Sequence, residues 1–338
     1  MKKIKVEDAV GMELCHDITA MRDGFKGAAF KRGHVITEED IPKLMDIGKK
    51  TVFIWEENTG EVHEEECALR LAAKAQMDNA HYTGPSEGKM LLFADQRGMF
   101  RVNKELLKKI NSIGDITITS LPDHYPVEEG ARLASMRIVP LVTQKWQIEK
   151  AEELMRTEKL FELHPYEHKK IGVIITGSEV YSGRIQDRFE PVVRAKMKHY
   201  PAEILDIRIC DDDLDMIVTA GRELLEQGAD VLIFTGGMSV DPDDLTPSAI
   251  RQLGAEIITH GVPSQPGNMT LMAYLKDVVI LGVPGAAISL PTTIFDVVLP
   301  QIFAGFRFTK DDLNALAEGG LCQMCGQCHF PNCTFGRY

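Results

Sequence analysis

The sequence predicts an α/β protein: a doubly wound, mostly parallel sheet preceded by smaller α+β segments. Three observations carry this. Short apolar runs alternate with helical patterns from about residue 169 onward. The runs at 171–176, 231–234 and 278–281 are continuously apolar, as strands covered on both faces are. Each runs into a turn containing glycine: Thr176-Gly177-Ser178-Glu179, Thr235-Gly236-Gly237-Met238-Ser239 and Gly282-Val283-Pro284-Gly285.

Element by element, 171–176 is the first strand and 189–199 a helix. Residues 203–209 form a second strand. Residues 214–227 form an amphipathic helix, with Leu214, Ile217, Val218, Leu224 and Leu225 at helical spacing and Gly228 at its end. The third strand, 231–234, is followed by a helix at 247–253 and a strand at 256–260. A further strand, 278–281, leads into a last helix at 288–303, with Pro291 in its first turn and Pro300 as a kink or stop.

Upstream, residues 1–60 read as a β-rich segment with glycine turns at Gly24, Gly27 and Gly33. Its one small helix is capped by Thr37, carries Glu38, Glu39 and Asp40, and closes at Gly48, before a strand at 51–55. Residues 61–168 read as an α+β middle domain. A helix at 64–77 precedes a break at 84–88. Asn103 then caps a helix bearing Leu106, Leu107 and Ile110, and 116–121 alternates as a strand. A turn at 127–130 leads into a buried strand at 133–142, then a connecting helix at 148–163 and a linker to residue 169. Residues 169–308 form the α/β domain, and 309–338 a Cys-rich tail.

Bulk properties narrow the function. The net charge of −12 argues against nucleic acid or an anionic membrane as the main partner. A small anion remains compatible, because backbone N–H groups bind phosphate locally whatever the global charge. No apolar run is long enough to span a membrane, and the charged stretch 1–8 lacks the apolar core of a signal peptide. A cytoplasmic protein is expected.

Ligands of open α/β sheets bind outside the carboxyl ends of the strands. Glycine turns there expose N–H donors and keep side chains away from an anion. Thr176, Ser178, Thr235, Ser239 and Thr246 add hydroxyls. Acidic residues share the edge: Asp211, Asp212 and Asp213 after the second strand, and Asp241, Asp243 and Asp244 after the third. Carboxylates make sense beside phosphate if Mg²⁺ bridges, or if they hold a pterin or ribose. Asp212, Asp213, Asp215 and Asp243 read as ordinary loop or capping residues, with Asp213 or Asp215 near the cap of the 214–227 helix and Asp244 or Thr246 capping the next. For Asp211 and Asp244 the structural and functional readings balance.

Residues 171–308 resemble the molybdopterin-binding domain shared by molybdopterin adenylyltransferases and molybdopterin molybdotransferases. The matching blocks are Thr176-Gly177-Ser178-Glu179-Val180 with Gly183 and Asp187, then Asp211-Asp212. Gly236-Gly237-Met238-Ser239-Val240 through Asp244-Leu245-Thr246-Pro247 follows, then Pro266-Gly267 and Val283-Pro284-Gly285. Residues 5–33 are similar to the start of molybdotransferase-like proteins. The resemblance implies a molybdenum-cofactor biosynthesis enzyme, a transferase binding molybdopterin or its adenylylated form, with molybdate and Mg²⁺. Gly236, Gly237 and Ser239 would cradle phosphate. Thr176, Gly177, Ser178, Thr246, Pro266, Gly267, Pro284 and Gly285 would complete the cofactor site. Asp211, Asp244 and Glu179 would be catalytic, with Asp244 also on Mg²⁺. A homo-oligomer and a recipient molybdoenzyme are further implied partners.

The chain departs from the family pattern at Gln265 and Asn268, where lysines are frequent, at Phe189, and at Ala286. It also ends the domain near Phe308. A non-catalytic molybdopterin carrier or metal-responsive regulator is the alternative. A nucleotide-pyrophosphate hydrolase on the same scaffold is the third reading.

Seven cysteines divide into two groups. Cys15, Cys67 and Cys210 read as scattered reduced thiols. Cys322, Cys325, Cys328 and Cys333 crowd together as C-x2-C-x2-C-x4-C, with His329 between. That spacing suits Zn²⁺ or an iron–sulfur cluster, and does not choose between them.

Overall fold

A computed structural model describes residues 1–22, 25–54, 60–239 and 244–337. Gly24, the last residue of the 51–55 strand, and Val240, Asp241 and Asp243 lie outside the described residues. The chain divides into two compact units. One comprises residues 1–95, 102–121 and 130–162; the other comprises 96–101, 122–129 and 163–338.

In the first unit, the strand Lys2–Lys5 pairs antiparallel with Thr51–Ile54. Beside them Val6, Leu14, Ile18, Ile36, Leu44 and Val52 make a small core. The first helix is Asp40–Asp46, shorter than expected at its start. Thr37 is not its cap. The buried Asp40 carboxylate instead accepts the Thr37 N–H, the Thr37 hydroxyl and a bond from His34 Nε2, which holds the chain in a turn before the helix. Gly48 ends the helix in the left-handed conformation, as expected.

A four-stranded antiparallel sheet, Ala80–Ser86, Lys89–Ala94, Arg132–Ile138 and Ile116–Ser120, carries the helices of the middle segment. The expected break at 84–88 is an irregularity at the end of the first strand, Thr83 to Ser86, and a hairpin turn at Glu87-Gly88; that strand is polar and half exposed, so no apolar alternation announced it. The expected strand at 133–142 is two strands, Arg132–Ile138 and Val142–Gln144, because Pro140 has no N–H to give a ladder. The connecting helix is Lys145–Thr157, and a strand, Phe161–Pro165, replaces its predicted end.

Asn103 caps the helix Lys104–Asn111 as expected: its side-chain oxygen accepts the Leu106 N–H at 2.9 Å. Losing a side-chain N-cap costs about 1 kcal/mol. Asn103→Ala should therefore lower the urea midpoint of this unit by an equivalent amount with an unchanged m-value, and Asn103→Asp, which keeps a capping oxygen, should lose much less. An Ala variant as stable as the parent would show that the cap contributes nothing.

The second unit contains a six-stranded sheet. Its strands are β1 (Lys169–Thr176), β2 (Ala202–Cys210), β3 (Val231–Thr235), β4 (Glu256–His260), β5 (Leu271–Leu275) and β6 (Val278–Val283). Their spatial order is β2-β1-β3-β6-β5-β4. Only β5 runs against its neighbours, so the sheet is mostly parallel. The β5–β6 hairpin turns at Lys276, which has φ 55°, and Asp277.

Both faces are covered, as the continuous apolar runs required. Ile171, Val173 and Ile175 pack with Phe189, Val193 and the helix Ile294–Phe303. The alternate residues Ile174, Leu232, Phe234 and Ile280 pack with Leu224, Val218 and Ile250 of the helices Leu214–Glu226 and Thr246–Gln252. The predicted last helix is two, Ala286–Ser289 and Ile294–Phe303. Pro291 lies between them, and Thr293 opens the second with a capping box closed by Asp296. Pro300 sits inside that helix rather than stopping it. A further short helix, Lys310–Ala315, follows, with Leu313 and Leu316 buried in the core. Among the described residues no helix is long and apolar enough to cross a membrane.

Candidate functional site at the carboxyl edge of the sheet

Strand register aligns the carboxyl ends. Thr176 of β1 pairs with Cys210 of β2, Ile175 with Thr235 of β3, and Thr235 with Val283 of β6. The chain after each strand therefore emerges along one rim: Gly177–Glu179, Asp211–Asp213, Gly236–Ser239 and Pro284–Gly285. The connection from β1 reaches β2 on one side, and the next strand, β3, lies on the other. That reversal between β1 and β3 is where open α/β sheets leave a crevice for ligand.

The turns after β1 and β3 are in close contact. Gly236 has φ 84°, and a Cβ there would lie 2.2 Å from the Thr176 carbonyl oxygen. At Gly237 a Cβ would lie 2.8 Å from Thr246 Oγ1 and 3.1 Å from Thr176 Oγ1. The buried hydroxyls tie the turns together. Thr176 donates to the Thr235 carbonyl at 3.4 Å, Thr246 donates to the Gly236 carbonyl at 3.0 Å, and the two hydroxyls are 3.3 Å apart. Thr246 is thus the first residue of its helix and a cross-link, not a cap. Leu245 holds the cap position and makes no capping bond through its side chain.

The donors at this rim are unequally available. The Gly177 N–H bonds to the Cys210 carbonyl at 3.3 Å. The Ser178 N–H goes to Asp212 Oδ2 at 2.9 Å, and the Ser178 hydroxyl to Asp211 Oδ1 at 2.5 Å and Asp212 Oδ2 at 3.0 Å. Ser178, expected to face an anion, instead holds two aspartates. Among the described residues no hydrogen bond takes the N–H groups of Gly237, Met238 or Ser239. Thr235 Oγ1, on a fully buried residue, also has no partner there. The N–H groups with no acceptor among the described residues therefore lie on the turn after β3.

Asp211 and Asp212 bond through one oxygen each, so each retains one oxygen with no bond among the described residues. The Ser178 hydroxyl and the Asp212 N–H hold the Asp211 carboxyl below the usual range. Asp212, read from sequence as a loop residue, belongs to this cluster. A run of three aspartates gives no signal of which one caps: Asp213 does, accepting the Met216 N–H at 2.8 Å. Asp244 is half-buried, two residues ahead of Thr246, and Glu179 is exposed. Asp187 accepts the Phe189 and Glu190 N–H groups and caps the next helix. Burial pushes the Cys210 thiol up to about 11, which removes it as a nucleophile at neutral pH.

Pro266 and Gly267 belong elsewhere. A Cβ on Gly267 would lie 2.7 Å from Ile294 Cγ2, and Pro266 lines a second, apolar cavity of about 390 Å³ with all four tail cysteines. Among the described residues no group of three His, Cys, Asp or Glu is arranged to hold a metal ion. The predicted four-thiolate centre is thus not preformed; the thiols share a cavity wall without converging.

Residues 172–304 match a family described as the probable molybdopterin binding domain. Residues 3–56 match a domain of unknown function. The molybdopterin molybdenumtransferase of Bacillus subtilis is 30% identical over 122 residues, covering 34% of this chain and 28% of that protein. A CinA-like protein of Mycobacterium tuberculosis is 34% identical over 90 residues, covering 26% and 21%. The matches span under a third of either relative. Among solved structures, the tungsten cofactor synthesizing protein MoaB from Pyrococcus furiosus is 21% identical, with TM-score 0.35 over 40% of this chain and 94% of that one.

Two outcomes follow from the geometry. Gly236→Ala forces a left-handed residue and a clash with backbone, so it should cost at least about 1–2 kcal/mol and lower the melting temperature. An unchanged melting temperature would mean the turns are not in contact. Ser178→Ala removes a donor to ionised Asp211, so the Asp211 carboxyl should titrate at higher pH, read by carboxyl ¹³C NMR. A titration identical to the parent's would rule out the Ser178 bond.

Proposed function

We propose that this protein acts in molybdenum-cofactor biosynthesis, binding molybdopterin or its adenylylated form at the β1–β3 crevice in a molybdotransferase-like reaction. The observation that carries this reading is the meeting of two glycine turns at the reversal of strand order, with N–H donors on the turn after β3 that have no acceptor among the described residues. The family of residues 172–304 supports the choice of ligand.

In this reading the Gly237, Met238 and Ser239 N–H groups receive the phosphate, and Gly236 and Gly237 keep its approach free of side chains. Pro284 and Gly285 border the pterin. The donor set fits Mg²⁺, a hard cation that takes one or two carboxylates and completes its shell with water and phosphate. Asp211 and Asp244 would hold it. Mg²⁺ supplies neutralisation of phosphate charge when bound. Asp211 is kept ionised by Ser178, so it keeps its charge into mild acid. Glu179, exposed at the rim, would orient molybdate or water. With a net charge of −12, the reading relies on backbone N–H groups and not on a general positive charge.

A non-catalytic molybdopterin carrier uses the same contacts without turnover. The two are separated by mixing the protein with molybdopterin or its adenylylated form, Mg²⁺ and molybdate, and identifying the product. Metal insertion with AMP release is expected; retention of the pterin without product would favour the carrier. Asp244→Ala should abolish turnover with an unchanged circular dichroism spectrum. Activity equal to the parent's would remove the catalytic assignment.

A further inference from the structure

We infer that the tail from Cys322 to Cys333 is a binding site for one thiophilic divalent cation, closed by the cation itself. The site uses residues outside the β1–β3 crevice and stands or falls apart from the molybdopterin reading.

The tail is not a loose end. Its entry is bound to the loop before β5: the Gln265 N–H donates to the Gly320 carbonyl at 2.7 Å, and the Cys322 N–H returns to the Gln265 carbonyl at 2.8 Å. Its exit folds back on the entry, with the Gly336 N–H on the Gly319 carbonyl at 2.9 Å. The contact is close enough that a Cβ on Gly319 would lie 2.0 Å from the Arg337 carbonyl oxygen. Phe335 is buried in the core of the unit, and Arg337 donates to the His124 carbonyl at 3.4 Å. A segment of about a dozen residues is thus held as a loop with both ends fixed, and the four cysteines lie inside it.

The thiols form two pairs. Cys322 and Cys333 stand at the two ends of the loop, half-buried and packed on the core. Cys325 and Cys328 stand on its exposed middle. All four are reduced and line the same cavity. The Met324 N–H donates to Cys322 Sγ at 3.5 Å, which fixes the start of the loop. Met324 itself is left-handed, at φ 51°, and a Cβ on Gly326 would meet nothing within 4 Å. The Cys322–Cys325 turn is therefore tight, and beyond it the Cys328 thiol is 3.0 Å from the Thr292 hydroxyl.

No Lys, Arg, Asp or Glu lines this cavity, and its remaining lining is mostly apolar, with Thr292, Gln323, His329 and Thr334 as the polar residues. Four sulfurs in such a wall select a soft or borderline cation over Mg²⁺ or Ca²⁺. Cys322 and Cys333, held at the two ends of the loop, would give two of the four ligands of a tetrahedral site, and Cys325 and Cys328 would have to close on the cation to give the others.

The test uses the full chain, reduced and stripped with a chelator, with Co²⁺ and then Zn²⁺ as probes. Expected are one Co²⁺ per chain, an intense near-ultraviolet sulfur-to-cobalt band, visible bands of tetrahedral Co²⁺, and displacement of all of them by Zn²⁺. Cys325→Ser with Cys328→Ser, both exposed, should lose these bands without change in the circular dichroism spectrum, and His329→Ala should keep them. Absence of the sulfur-to-cobalt band, its persistence in the double variant, or isolation of the protein with iron and inorganic sulfide would overturn the assignment.

Discussion

The approach of the turn after β3 to the end of β1 is the contact on which the rim depends. Gly236 passes so close to the Thr176 carbonyl that only a residue without Cβ fits. Because the two backbones touch, the hydroxyls of Thr176 and Thr246 can span them, and the helix Thr246–Gln252 starts where it does. The N–H groups of Gly237, Met238 and Ser239, which follow this contact, have no acceptor among the described residues. A looser packing of the same strands would scatter those donors.

The acidic side of the rim follows from the same register. Cys210 pairs with Thr176, so the chain after β2 delivers Asp211 and Asp212 to Ser178. Two neighbouring carboxylates repel, and the Ser178 N–H and hydroxyl offset that by donating to both. One edge thus carries a donor-rich turn on one side of β1 and an acceptor-rich turn on the other. Such a division suits a ligand with a phosphate at one end and a cation or polar ring atoms beside it.

The sheet was legible because strands buried on both faces must be apolar throughout, as in 171–176 and 231–234. The strand Leu271–Leu275 is equally apolar, yet was missed. It joins β6 through Lys276-Asp277, a hairpin turn with no glycine or asparagine to mark it. The polar strand Ala80–Ser86 was hidden for the opposite reason, its exposure on one side. At the rim, glycine and aspartate positions could be read, but the pairing of donors could not. Asp212 and the occupation of Ser178 depend on register between distant strands, and local spacing carries no trace of it. Likewise, the spacing of the tail cysteines marked them as one group. Their arrangement on a loop held at both ends depends on Phe335 reaching the core and on Gly319 meeting the backbone of Gly336 and Arg337.

The central claim is that the turn after β3 is an anion cradle. Titrating ¹⁵N-labelled protein with inorganic pyrophosphate measures it directly. The account predicts that the amide resonances of Gly237, Met238 and Ser239 shift most and saturate together, while those of the cysteine loop stay in place. Shifts scattered over surface lysines, or confined to Gly177 and Ser178 with the β3 turn unmoved, would contradict it.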